Sequence, residues 1–244
     1  MGPKAVPEVR AAEMHRDPEP PGLSVVIPSL DEALHLPDLL ADLAPLRTRG
    51  HEVIVVDGGS TDATRELAAV GADRVLSVSR GRARQMNAGA AAARGEAFWF
   101  LHADCRITPA VFDAVLHALG QGCSWGRCNV RLSSRGPLLS LTARMMNLRS
   151  CITGIATGDQ GIFISRSAFE AVEGFPGIPL MEDVEISRRL KRRVGRPVCV
   201  RAALVTSSRR WERRGVLRTI LLMWGLRLAY WLGTDPARLA RWYR

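Results

Sequence analysis

A chain of 244 residues, 47% hydrophobic and 24% charged, has room for one substantial α/β domain. That excludes both a second full-sized domain and a wholly disordered chain. Five cysteines, odd in number and without a C-x-x-C pair, argue against a disulfide framework or a zinc knuckle. They read as small buried hydrophobes of a reduced, cytoplasmic protein. The net charge of +10 is lopsided, because sixteen Lys and Arg lie from Arg188 to Arg244 against only Glu212 and Asp235.

In chain order, residues 1–22 carry five prolines among charged side chains and read as a loose tail without an apolar run of signal-peptide length. Leu23 to Ile27 (LSVVI) predicts a buried strand that stops at Pro28, and Leu36 to Arg49 has helical spacing. Glu52 to Val56 (EVIVV) is a second strand, delivering Asp57 into the Gly58-Gly59 turn. Asp62 then caps a helix running through Leu67. Val75 to Val78 is a weaker strand, and alanine-rich Arg82 to Arg94 a helix. Ala97 to Leu101 (AFWFL) is a strand ending in His102-Ala103-Asp104. Further on, Trp125 to Leu132 reads as extended, Leu138 to Leu148 as helical, Gly161 to Ser165 as a strand and Asp183 to Val194 as a helix.

Strands alternating with helices, each strand almost continuously apolar, specify an α/β fold whose mostly parallel sheet is covered on both faces. Ligands bind such sheets at the carboxyl ends of the strands. Residues 28–32, 57–62 and 102–104 are therefore expected to converge. A strand that delivers a carboxylate into a flexible turn, as VVDGGSTD does, either lets backbone approach a ligand or simply turns the chain.

Five segments in this order carry a resemblance: VVIPSLDE (Val25 to Glu32), VVDGGSTD (Val55 to Asp62), RGRARQMNAGA (Arg80 to Ala90), FLHAD (Phe100 to Asp104) and MEDVEISRRL (Met181 to Leu190). Together they resemble family-2 glycosyltransferases over about 185 residues, Leu23 to Ser207. Within that family the chain looks most like the branch associated with radical-SAM and selenium-related domains, through RGRARQMNAGA, GDQ, PLMEDVE and RRWE. The resemblance implies a GT-A (Rossmann-like) sheet at 23–208, with the basic, amphipathic segment 209–244 as a C-terminal helical extension. It implies inverting transfer from a nucleotide-diphosphate sugar, UDP-sugar favoured, to a small-molecule or lipid-linked acceptor.

The resemblance also assigns roles. Asp104 is the expected ligand of Mg2+ or Mn2+ on the diphosphate, although relatives show Asp-x-Asp where this chain has His102-Ala103-Asp104. A single carboxylate with waters and diphosphate oxygens can hold such an ion. His102 is either a strand-end packing residue or a helper through water. Asp183 is the expected general base, and Glu182 beside it belongs to the same motif. The alternative is that both carboxylates only favour a helix N-terminus. Pro28, Asp31, Glu32, Asp57, Gly58, Arg82, Asn87 and Ala103 are expected around the nucleotide, with Gly58 standing where many relatives have a second carboxylate. Arg84 reads equally as a contact or as a solvated helix arginine. Asp159 and Gln160 are placed at the sugar hydroxyls, though Asp159 reads equally as a turn residue. Arg210 and Trp211 are placed near the diphosphate and a stacked ring. Ser207 stands where processive relatives have Gln, which argues against polymer synthesis.

Val216 to Leu232 is apolar but interrupted by Arg218 and Arg227, and its length barely reaches that of a spanning helix, so it is not read as transmembrane. Its cations and tryptophans suit peripheral contact with the cytoplasmic face of a membrane, or packing in a homodimer. No nucleic-acid-binding module is visible. Two other readings stand beside the transferase: a nucleotidyltransferase acting on a sugar phosphate, and a catalytically silent membrane-surface module. The first needs a Gly-rich loop with a basic residue after the first strand, and Pro28 to Glu32 offers neither.

Overall fold

The computed structural model describes residues 22–243. The tail expected at 1–22 lies outside the described residues except for Gly22. The chain runs β1 (Leu23–Ser29), α1 (Leu36–Arg47), β2 (Glu52–Asp57), α2 (Thr64–Gly71), β3 (Arg74–Ser77), α3 (Arg82–Ala92), β4 (Ala97–Phe100), α4 (Pro109–Gly120) and β5 (Trp125–Leu132). It continues through α5 (Pro137–Thr153), a 3-10 turn at Gly158–Gln160, β6 (Ile162–Ser165), α6 (Arg166–Ala171), α7 (Glu182–Arg193) and β7 (Val198–Thr206). Three helices close it: α8 (Arg209–Arg214), α9 (Val216–Trp231) and α10 (Pro236–Tyr243).

The seven strands form one sheet in the order β3-β2-β1-β4-β6-β5-β7. Only β6 runs against the rest, pairing antiparallel with β4 and β5. The mostly parallel α/β sheet expected from the sequence is the architecture observed. Alternate residues of each strand feed two cores, as a pleated strand requires. Val25, Ile27, Val53, Val55 and Trp99 join α1 and α4 on one face. Val26, Ile54, Val56, Phe98 and Phe100 join α3, α6 and α7 on the other.

The chain leaves β1 in the middle of the sheet, builds outward to β3, and returns to lay β4 on the other side of β1. That reversal opens a crevice between the carboxyl ends of β1 and β4. Pro28 is the penultimate residue of β1 rather than a residue beyond it. The last β1 residue paired with β4 is Val26, whose carbonyl accepts Leu101 N–H at 3.1 Å. Pro28 shares Val26's side of the strand, where no further partner exists, so its missing donor costs the ladder nothing. Helix α2 begins at Thr64 rather than after Asp62. The Asp62 carboxylate still accepts Thr64 N–H at 3.0 Å, and also Ala33 N–H at 3.1 Å, so it ties two loops together instead of capping one helix.

The expectation of five free thiols is corrected. Cys151, at the end of α5, and Cys199, in β7, are bonded across a Cα separation of 6.1 Å, while Cys105, Cys123 and Cys128 are free. The two residues are 48 positions apart, and spacing alone does not reveal a pair that only the packing of α5 against the far strands brings together.

Helices α9 and α10 dock through Leu226 and Leu239 onto Met181, with Leu180, Val184 and Tyr230 around them. The opposite side of α9 leaves Leu217, Leu221, Trp224, Leu228 and Trp231 exposed. Among the described residues, no helix is long and apolar enough to cross a membrane.

Candidate active site

Two loops at the carboxyl ends of β1 and β2 are stitched together by short polar side chains. Asp31, in a left-handed conformation with φ 52, donates its N–H to Ser60 Oγ at 2.9 Å and accepts Thr61 N–H at 2.8 Å. Glu32 N–H donates to Thr64 Oγ1 at 2.8 Å. Asp57 is buried and turned back on its own loop, accepting Gly59 N–H at 3.0 Å and Ser60 N–H at 3.1 Å, with the Ser60 hydroxyl donating as well.

Gly58 has a packing reason. A Cβ there would lie 3.0 Å from Gln85 Nε2, and that buried amide donates to Ser29 O at 2.8 Å and Val56 O at 2.9 Å. Gln85 thus ties α3 to the ends of β1 and β2, a role the sequence reading did not give it. Gly89, one turn on, lets the same helix rest on β1, since a Cβ would sit 2.3 Å from Val26 Cγ1.

A small cavity at the crevice is lined by Pro28, Arg82, His102, Gly158, Glu182 and Asp183, over a floor that includes Phe100 and Phe175. Helix α7 aims its first turn into it. Met181, just before that helix, adopts φ 71, a strained backbone for a side chain with a Cβ. The buried Glu182 pairs with Arg82 Nη1 at 3.2 Å. Burial, with the charge of Asp183 adding, holds the Glu182 carboxyl above its ordinary range despite Arg82. Asp183 Oδ2 accepts Gly158 N–H at 2.9 Å and Oδ1 accepts Val184 N–H at 2.7 Å. Each oxygen is therefore fixed by one backbone donor and keeps a further lone pair for a proton.

His102 packs on the Gly158 turn. A Cβ at Gly158 would lie 2.6 Å from His102 Nε2, which is buried without a hydrogen-bond partner. Burial, helped by Arg82 and Arg210, pushes the imidazole down to about 3, so it is neutral at physiological pH.

Beside the cavity, Glu32 and Asp104 share one cation. Arg209 Nη2, from α8, is 3.5 Å from Glu32 Oε2 and 3.6 Å from Asp104 Oδ2. Burial, with Asp104 adding, raises the Glu32 carboxyl, and Arg209 offsets part of that rise. Arg209 had no role in the sequence reading, where it stood only as one cation of the basic C-terminal segment. Arg210 stacks its guanidinium 4.3 Å from the Tyr243 ring centroid, and Trp211 is half-buried next to it.

Other expected residues stand outside the cavity. Asn87 clamps the turn after α6, donating to Phe175 O at 2.8 Å and accepting Phe175 N–H at 2.9 Å. The buried Gln160 closes a capping box with Thr157 and donates to Ser150 Oγ at 2.9 Å. Ala103 is buried in the core on the α1 and α4 side. Asp159, in the same 3-10 turn as Gln160, is held above its usual range by burial, with Asp183 adding to the rise and Thr157, Arg227 and Arg149 opposing it. Arg84 donates to Ser79 Oγ.

Carboxylates and arginines thus gather at the switch point of a mostly parallel sheet. A family model described as glycosyl transferase family 2 matches residues 24–148, from β1 through most of α5. The chain belongs to glycosyl transferase family 2. The matched stretch spans the site segments from Pro28 to Asp104.

Solved structures agree on the fold. S. aureus TarS is 18% identical with a TM-score of 0.61, over 76% of this chain and 36% of that one. TarS 1-349 in complex with UDP-GlcNAc is likewise 18% identical at 0.61, over 76% and 58%. Glucosyl-3-phosphoglycerate synthase from Mycobacterium tuberculosis in complex with Mn2+, UDP and phosphoglyceric acid is 23% identical at 0.58, over 76% and 69%. This chain spans about a third of TarS and less than two thirds of its 1-349 fragment. No curated protein matches the sequence.

Proposed function

We propose that this family-2 glycosyltransferase moves a sugar from a UDP-sugar to an acceptor hydroxyl or related nucleophile with inversion, Asp183 acting as general base. The observation that carries this reading is the fixed carboxylate of Asp183 on the wall of the cavity at the β1–β4 crevice. Inversion needs one base on the face opposite the leaving group, and Glu182, paired with Arg82, is poorly placed to be a second. UDP is favoured because TarS and the glucosyl-3-phosphoglycerate synthase have structures with UDP or UDP-GlcNAc.

The residues fit a hard divalent ion. Glu32 Oε2 is buried without a hydrogen bond, and burial together with the charge of Asp104 raises the Glu32 carboxyl, so the pair calls for positive charge between its members. Asp104 would hold Mg2+ or Mn2+ with Glu32 near it, diphosphate and water supplying the remaining oxygens. Among the described residues no three His, Cys, Asp or Glu side chains gather into a metal cluster, so the protein's share of ligands is small. The metal when bound would neutralise charge on the departing diphosphate.

In this reading Pro28, Asp31, Asp57 and Gly58 shape the nucleotide end through their backbone and loops. Arg82 and Arg210 supply positive charge toward the diphosphate. The extension at 209–244 contributes to the site through Arg209 and Arg210 rather than standing apart from the unit at 23–208. The likeness to the radical-SAM-associated branch rests on the RGRARQMNAGA, GDQ, PLMEDVE and RRWE segments and leaves the acceptor open.

A melting screen tests the donor half. UDP with Mn2+ is expected to raise the unfolding midpoint of the wild type by mass action, and Asp104→Ala is expected to abolish the metal-dependent part. An equal shift in Asp104→Ala would remove that residue from the metal.

A further inference from the structure

We propose that Arg149 and Arg227 form a seat for the phosphate monoester group of the acceptor, beside Asp183. The inference deepens the proposed function and rests on Asp183 facing the acceptor.

Arg149 rises from the last turns of α5. Its Nη1 donates to Ile155 O at 3.3 Å, while Nε and Nη2 are buried with no hydrogen-bond partner. A guanidinium carries five donors, and leaving buried ones dry is costly enough that structures seldom tolerate it without a function. The carbonyl it does reach belongs to the segment whose Gly158 N–H holds Asp183. The base and the unfilled donors therefore hang from the same short stretch of chain.

Arg227 comes from the other side. Its neighbour Leu226 is buried against Met181, and Tyr230 OH donates to Glu185 Oε2 at 3.0 Å, so this turn of α9 is fixed to the start of α7. Burial, with Arg227 adding, presses the Arg149 guanidinium down to about 10, against the pull of Asp159 and Asp183. Among the described residues neither arginine has an ion-pair partner within 4.0 Å. Arg149 and Arg227 share this corner with the carboxylates of Asp159 and Asp183, yet Nε and Nη2 of Arg149 still find no acceptor. A dianion between the two arginines would satisfy both, and the forked guanidinium matches phosphate oxygens two at a time. The geometry thus points to a phosphate monoester, carried either by a soluble metabolite or by a lipid.

The test uses the full chain without metal. Calorimetric titration with glycerol 3-phosphate is compared with glycerol, and co-sedimentation with phosphatidylcholine vesicles is compared with and without phosphatidic acid. Binding of glycerol 3-phosphate but not glycerol, weakened roughly tenfold or more by Arg149→Gln and by Arg227→Gln, supports the soluble source. The same two losses confined to phosphatidic acid vesicles support the lipid source. Arg192→Gln, an exposed position on α7 with the same charge change, is expected to match the wild type. Should Arg149→Gln fail to fold, the half-exposed Arg227 carries the result. If neither probe separates the two variants from Arg192→Gln, the seat does not exist. UDP and Mn2+ binding by the wild type, measured separately, decides the donor reading, so the two failures are distinct.

Discussion

Arg209 occupies the place a divalent ion is expected to take, and removing it should make metal binding easier. Its Nη2 lies 3.5 Å from Glu32 and 3.6 Å from Asp104. Coulomb's law at an effective dielectric of about 20 would assign each pair about 4 to 5 kcal/mol. The guanidinium is 44% exposed and the carboxylates 26% and 22%, so solvent screening reduces the two pairs to about 1 kcal/mol in total. An ion competing for the same oxygens forfeits that amount, and Arg209→Ala should therefore bind Mn2+ about fivefold more tightly in the absence of nucleotide. Electron paramagnetic resonance of free Mn2+, titrated at low ionic strength, reads this without any turnover. Arg213→Ala, on the same helix and exposed, controls for lost charge and should change the affinity less than about twofold. Unchanged or weaker Mn2+ binding by Arg209→Ala would refute the competition.

Two further outcomes follow from buried carboxylates. The Asp159 carboxyl is raised above its ordinary 3.8, so the folded state holds that proton over a window where the unfolded chain has lost it. Stability then falls as pH rises through that window, so the buried carboxyl costs stability at neutral pH. Asp159→Asn should raise the midpoint at pH 7.5 by on the order of 3 °C and lose its advantage as pH falls toward about 4; an advantage that persists in acid would contradict the assignment. At the far end of the sheet, buried Glu52 accepts Ser24 Oγ at 2.7 Å, Arg94 N–H at 2.9 Å and Arg94 Nε at 3.1 Å. Glu52→Ala should cost about 3 kcal/mol in urea unfolding while leaving UDP affinity per folded molecule unchanged, since it is remote from the crevice.

The parallel half of the fold was legible because LSVVI, EVIVV and AFWFL are buried on both faces and so read as unbroken apolar runs. Helix α4, PAVFDAVLHALG, went unassigned although Pro109 at its start and apolar residues at helical spacing mark it. β7 went unassigned because Arg201 and exposed Val198 break its pattern, its pairing with β5 and packing on α4 being tertiary facts. The reversed direction of β6 also lies in pairing rather than in composition.

At the site, the segments that should converge were readable from strand ends, but their division of labour was not. Asp57, Asn87 and Gln160 look like ligand contacts in one dimension, yet each spends its polar atoms on nearby backbone or side chains. Gln85, Arg149 and Arg209 look like ordinary helix residues, and become informative only when a buried donor or a shared cation is seen in three dimensions. The Cys151–Cys199 bond was missed for the same reason.

The most direct measurement is UDP formed from a UDP-sugar in the presence of Mn2+ by the wild type and by Asp183→Asn. The substitution keeps the shape that accepts Gly158 N–H but removes the basic oxygen. Turnover should fall at least a hundredfold with UDP and Mn2+ binding retained. Wild-type rates in Asp183→Asn would contradict the assignment of Asp183 as the base.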